Sequence, residues 1–142
     1  LTTIAYCKGV LAGDSRVTDG QVWRTRKIYR LETSAGELLV GYCGQVFAAQ
    51  VFIEWLKNDK SRKPDLGNED FEAIVVAETG RVTLWNQSLV PWRPAGKFFA
   101  IGSGAPAAMA AMHCGKGAVD AVKVAAKIDP STGGPVHSLR LR

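Results

Sequence analysis

A layered α+β domain of antiparallel sheets covered by helices is the fold class this sequence predicts, and three observations predict it. Short β-prone segments follow one another through tight turns, which requires antiparallel pairing. The strands fall into two groups, each followed by helical segments, so sheets covered by helices bury both apolar faces. The 142 residues are 46% apolar and 22% charged, enough to bury a core without disulfide or metal staples.

The elements follow in chain order. Residues 2–6 and 10–17 read as strands around Cys7-Lys8-Gly9, and Thr18-Asp19-Gly20 is a turn before a strand over 21–30. Ser34-Ala35-Gly36 turns the chain into a strand over 37–42. From Gly44 to about residue 60, Ala48, Val51, Phe52, Trp55 and Leu56 recur at helical spacing and predict a helix with one apolar face. The polar stretch 58–68, with Pro64 and Gly67, leads to a hairpin of strands 71–77 and 81–85 joined at Glu78-Thr79-Gly80. Pro91 and Pro94 bound a loop, residues 97–101 read as a buried strand, and Ser103 is positioned to cap a helix over 105–114. Gly115 and Gly117 interrupt it before a second helix over 118–128. A turn over 129–134 then leads to a last strand in which Leu139 and Leu141 alternate with Arg140 and Arg142. With no internal repeat or low-complexity segment, one domain over 1–142 is expected.

Composition narrows the function classes. No apolar run reaches the roughly 18 residues of a membrane span, and the start lacks a basic-then-apolar leader pattern, so a soluble, cytoplasmic protein without membrane association is expected. Three cysteines (Cys7, Cys43, Cys114) are an odd number without metal-type spacing and read as free thiols in a reducing compartment, two of them in apolar surroundings. No metal or cofactor is expected, and His113 beside Cys114 reads as packing. The net charge of +5 includes Arg24, Arg26, Lys27 and Arg30 close together, so a nucleic-acid surface stays among the less favoured alternatives. The four tryptophans read as core and rim, not as a base-stacking platform.

Two threonines near the chain start carry the chemical interest. A threonine that becomes the first residue holds nucleophile and base together, because its hydroxyl attacks while its own α-amine takes the proton. That amine titrates near ~7.7–8.0 when unperturbed, so a neighbouring cation leaves much of it neutral at physiological pH. If the turn at Asp19-Gly20 closes a hairpin with Thr18 opposite Gln21, Asp14 falls opposite Thr25. Lys27 is then one diagonal step away, roughly 7–8 Å, on the same face, and an ion pair is feasible. Singly, each feature has a plain reading. Thr2 is a strand residue, Lys27 belongs to a solvated strand face, Ser103 caps a helix, Gly41 and Gly44 allow tight strand-to-helix packing, and residues 129–134 form an ordinary turn.

In order along the chain, six segments resemble β-type proteasome subunits and the HslV peptidases, members of the N-terminal nucleophile hydrolases. Thr2-Thr3-Ile4 is similar to the mature HslV start, Ala12-Gly13-Asp14 to the acidic motif, and Arg26-Lys27-Ile28 with Arg30-Leu31 to the lysine segment. Gly41-Tyr42-Cys43-Gly44 resembles the glycine segment leading into the first helix. Ile101-Gly102-Ser103-Gly104 resembles the segment opening the third, and Asp129-Pro130-Ser131-Thr132-Gly133-Gly134 the Asp-x-x-Ser-Gly-Gly turn.

The resemblance implies a four-layer αββα sandwich. One helical layer is expected to be reduced, since only about ten residues, 60–69, stand where family members carry another helix. It implies a threonine-type endopeptidase in which Thr2 is the nucleophile, its α-amine the base, and Lys27 with Asp14 the activating pair. Gly44 supplies an oxyanion N–H, Ser103, Asp129 and Thr132 surround the amine, and Tyr42 shapes the substrate pocket. An acylated nitrogen cannot act as the base, so Leu1 must be removed; with it in place the chain is an inactive precursor. The implied partners are a protein or peptide substrate, further copies in a ring or stacked rings, and an ATPase unfoldase. A catalytically silent assembly or binding component, and an amidase acting on a small molecule, are the alternatives.

Overall fold

The computed structural model describes residues 2–18 and 20–142, so the expectations placed on Leu1 and on Asp19 lie outside the described residues. Its elements are β1 Ile4–Cys7, β2 Val10–Gly13, β3 Arg16–Thr18, β4 Val22–Arg24, β5 Ile28–Thr33, β6 Gly36–Gly44, α1 Val46–Lys57, β7 Phe71–Ala77, β8 Val82–Asn86, β9 Phe98–Ile101, α2 Ala105–His113, α3 Ala118–Ile128 and β10 His137–Arg140. Two four-stranded antiparallel sheets form, ordered β10-β2-β1-β9 and β5-β6-β7-β8, with β3 and β4 as a separate ribbon.

Three apolar clusters make these elements four layers. Ile4, Leu11, Ile28, Leu39, Ile74 and Val76 interdigitate between the two sheets. Ala5, Ala12, Ala108, Ala121, Val122 and Ala125 join the first sheet to α2 and α3. Val40, Phe52, Phe71 and Trp85 join the second sheet to α1. The architecture is therefore α+β in αββα order. The thinned layer is the α1 side, where among the described residues a single helix lies and residues 58–70 cross beside it without helix. Leu66 and Leu89, from the segments outside α1, are buried into that cluster.

Several sequence expectations need correction. The strand expected over 10–17 breaks at Asp14-Ser15, and the one expected over 21–30 breaks between Arg24 and Ile28. In both cases the first piece stays in its sheet or ribbon, and the chain then leaves so that the second piece joins another. The ribbon pairs Thr18 with Val22 and Arg16 with Arg24, one residue off the assumed register. Asp14 and Lys27 therefore do not meet as a diagonal ladder pair. They meet because Asp14 follows β2 of one sheet and Lys27 precedes β5 of the other. The buried stripe of α1 is Ala48, Ala49, Phe52, Ile53 and Leu56, so Val51 lies outside it and Trp55 is only half-buried. Gly104, not Ser103, is the N-cap residue of α2, and no side chain caps that helix. Gly41 serves contact between sheets and not between strand and helix, since a Cβ there would stand 2.6 Å from Ile4.

Candidate active site

The site forms where the ends of both sheets converge. Thr2 immediately precedes β1, Asp14 follows β2 and Lys27 precedes β5, while Ser103 follows β9 and Asp129 ends α3. Backbone bonds tie these ends together: the Asp14 N–H donates to the Thr3 carbonyl at 3.2 Å, the Ser15 N–H to Gly133 at 3.1 Å, and the Tyr42 N–H to Lys27 at 3.1 Å.

Lys27 is 1% exposed, and its ammonium donates to Thr2 Oγ1 at 2.9 Å, to Asp14 Oδ1 at 2.9 Å and to the Arg16 carbonyl at 2.5 Å. A lysine ammonium has three N–H donors, and all three are engaged. Burial pulls the Lys27 pKa below the ordinary lysine value, and the Asp14 carboxylate works against that shift. Asp14 is itself fixed from three sides, accepting from Lys27, from the Thr3 N–H at 3.2 Å and from the Gly133 N–H at 3.0 Å.

A second network surrounds the nitrogen of Thr2. Its N–H donates to Ser103 Oγ at 3.1 Å, Ser103 donates to Asp129 Oδ2 at 2.5 Å, and Thr132 donates to the same oxygen at 2.7 Å. Burial raises the Asp129 pKa, but hydrogen bonds from Ser103, Thr132 and the Ser131 N–H outweigh it and leave the carboxyl below its usual value. The side chain expected to cap a helix is thus turned to a carboxylate. Close approach dictates the neighbouring backbone: Gly102 sits at φ +99°, and a Cβ there would lie 2.1 Å from the Thr2 carbonyl oxygen.

The open side of Thr2 is a cavity of about 270 Å³ lined by Thr2, Lys27, Tyr42, Gly44, Phe47 and Asp70 among others. Tyr42 is buried, its ring stacks on Tyr29 at a centroid distance of 6.5 Å, and burial pushes its hydroxyl up to about 12. Gly44 ends β6 at φ +95°, where a Cβ would collide with the Asp70 carbonyl at 2.1 Å.

The seven other expected site residues therefore lie around Thr2, in two networks and one cavity. Two further residues join the site that were not among those expected: Thr3, whose hydroxyl lies 2.8 Å from that of Thr132, and Arg16, which supplies a carbonyl to Lys27 and whose guanidinium donates to Pro130 O at 3.0 Å. Thr3 carried a signal, because adjacent strand residues point to opposite faces; Arg16 carried none. Of the basic residues weighed as a nucleic-acid surface, Lys27 is buried and Arg30 pairs with Glu37, while Arg24 and Arg26 are exposed. Phe98 packs edge-on against His113 at 4.8 Å. Among the described residues no cluster of His, Cys, Asp and Glu is arranged to hold a metal ion, and no helix is long and apolar enough to cross a membrane.

Compared by sequence, the chain matches no family model and no curated protein. Compared by structure, it is similar to eukaryotic HslV from Trypanosoma brucei, at 20% identity over 98% of this chain and 99% of that one, with a TM-score of 0.74. It is similar to Thiobacillus denitrificans BPH, solved in complex with epoxomicin, at 20% identity over 99% and 98% of the two chains, with a TM-score of 0.66. It is also similar to Anbu from Hyphomicrobium sp. strain MC1, at 10% identity over 99% of this chain and 81% of that one, with a TM-score of 0.78.

Proposed function

The chain has the fold of the proteasome-like N-terminal nucleophile hydrolases, and we propose that it is a threonine peptidase whose nucleophile is Thr2 once Leu1 has been removed. One observation carries the reading: the Lys27 ammonium donates to Thr2 Oγ1 at 2.9 Å. Because that oxygen accepts from Lys27, its own proton is directed to another acceptor, and the α-amine of the same residue is within its reach. The nearby positive charge disfavours protonation of the amine and stabilises a hydroxyl losing its proton.

The reaction follows from this geometry. Thr2 Oγ attacks the scissile carbonyl and its proton passes to the α-amine. The oxyanion that forms is held by the Gly44 N–H, a kind of contact whose loss typically costs about 10²–10³ in rate. The carbon–nitrogen bond then breaks, the ammonium gives its proton to the leaving amine, and an ester remains on Thr2. Water attacks that ester with the amine again as base and regenerates the threonine. Asp14 keeps Lys27 charged and oriented, Ser103, Asp129 and Thr132 hold the amine, and Tyr42 closes the floor of the substrate pocket. The same reading makes the chain a subunit of a ring or stacked rings fed by an ATPase unfoldase.

The test compares three proteins on a fluorogenic peptide and on epoxomicin, which the Thiobacillus denitrificans protein binds: a chain beginning at Thr2, one retaining Leu1, and Thr2→Ala. The first is expected to hydrolyse peptide and to form an epoxomicin adduct on its N-terminal peptide by mass spectrometry. The other two should do neither, with unchanged circular dichroism. Full hydrolysis by Thr2→Ala sinks the proposal.

A further inference from the structure

A second cavity, of about 430 Å³, adjoins the first and shares Gln45 and Phe47 with it as walls. Its lining is apolar on one side, from Phe47, Ala48 and Val51 of α1 together with Leu66, of which Ala48 and Leu66 are buried, and it includes two exposed carboxylates, Asp65 and Glu69. It opens between α1 and the non-helical stretch that follows, where the helical layer is thin. Phe47 is 81% exposed and Val51 43%, so this side of α1 presents apolar surface immediately beside the reactive threonine. Asp70 adds a carboxylate to the lining of the first cavity.

We propose that the two cavities form one continuous groove, and that the second is a subsite for a lysine or arginine side chain of an extended polypeptide substrate. This rests on the reading of the Thr2 cavity as a peptidase site. Three features of the groove favour that side chain. A long basic residue lays its methylene stem along apolar surface while its charge stays in water, matching a lining that is apolar on one side and includes exposed carboxylates. An exposed aromatic face within about 6 Å of a cation adds attraction. An extended chain points every second side chain to one face, so a substrate held at Thr2 brings a further side chain along the groove. An acidic side chain would face Asp65 and Glu69 and be repelled.

The experiment measures fluorescence anisotropy of labelled decapeptides of glycine, alanine and serine carrying one arginine, scanned through successive positions, against the same set carrying glutamate. In parallel, the unlabelled set is scored for cleavage. Arginine at one register should bind about fivefold more tightly than glutamate. The preference should fall to about twofold or less in Phe47→Ala and in the double variant Asp65→Asn/Glu69→Gln. Asp65→Asn retains an acceptor for the Gly67 N–H that Asp65 now receives at 2.8 Å, so the loop keeps its turn. Equal binding of both sets, a preference independent of register, or one that survives both variants overturns the subsite. Register-specific binding without cleavage upholds the subsite and counts against the peptidase reading; cleavage without an arginine preference does the reverse.

Discussion

The side chains of the adjacent threonines enter different networks because extended backbone turns successive side chains to opposite faces. Thr2 faces Lys27, whereas Thr3 lies against Thr132 and lends its backbone N–H to Asp14. The same alternation sets the fate of Cys43, one residue beyond Tyr42 in β6. Tyr42 belongs to the cluster under α1, and Cys43 to the core between the sheets. Burial, reinforced by the Glu72 carboxylate, pushes its thiol up to about 12 even though the Lys27 charge pulls the other way. Since the thiolate is the reactive species, native protein treated with a thiol reagent at pH 8 should label at Cys114, the exposed cysteine, and not at Cys43 or the buried Cys7. All three should label after denaturation. Peptide mapping by mass spectrometry checks this, and rapid native labelling of Cys43 would contradict the packing described.

At the scale of elements, α1 gives the clearest contrast. Phe52 is fully buried, with ring centroids 5.2 Å from Phe71 and 5.4 Å from Trp85, whereas Phe47 on the same helix is 81% exposed. Phe52→Ala should cost about 3–5 kcal/mol in a denaturant melt, and Phe47→Ala should stay within about 0.5 kcal/mol of the wild type. Similar losses for the two would mean that the buried stripe is misassigned. The existence of this helix was legible from apolar spacing, but which residues it buries was not. Periodicity fixes the width of the stripe, and the sheet beneath fixes its rotation, bringing Ala49 and Ile53 in and leaving Val51 out. The hairpin of β7 and β8 was legible because both strands stay in one sheet. The breaks at Asp14-Ser15 and after Arg24 were not, because a chain that changes sheets keeps its β-prone composition while it does so.

For the molecule as a whole, Lys27 links the two sheets at the site, entering from the start of β5 with its charge ending between Thr2 and Asp14. Which residues gather here was legible from six short motifs in order. How Asp14 and Lys27 meet was not, since the assumed ladder register would not produce the pair and the convergence of two sheets does. That placement makes stability depend on pH in a definite direction. Because burial lowers the folded-state pKa of Lys27 below the 10.5 of an ordinary lysine, the unfolded chain binds more protons than the folded one between those two values. Stability from this group therefore rises with pH until about 10.5, with a slope of at most about 1.4 kcal/mol per pH unit. Cys43 and Tyr42 act in the opposite sense: their folded values lie near 12, so their contribution is lost as pH climbs from 9.0 and 10.0 respectively. Lys27→Met separates the two effects, because the cysteine and tyrosine contributions are common to both proteins and cancel to first order. Removing one partner of a buried pair should cost about 3–5 kcal/mol near neutrality, and the stability of the wild type relative to the variant should then increase as pH is raised to 10.5. Denaturant midpoints measured from pH 7.5 to 10.5 give that difference directly, and a difference that stays flat or shrinks with pH would mean that the ammonium is not confined between the sheets.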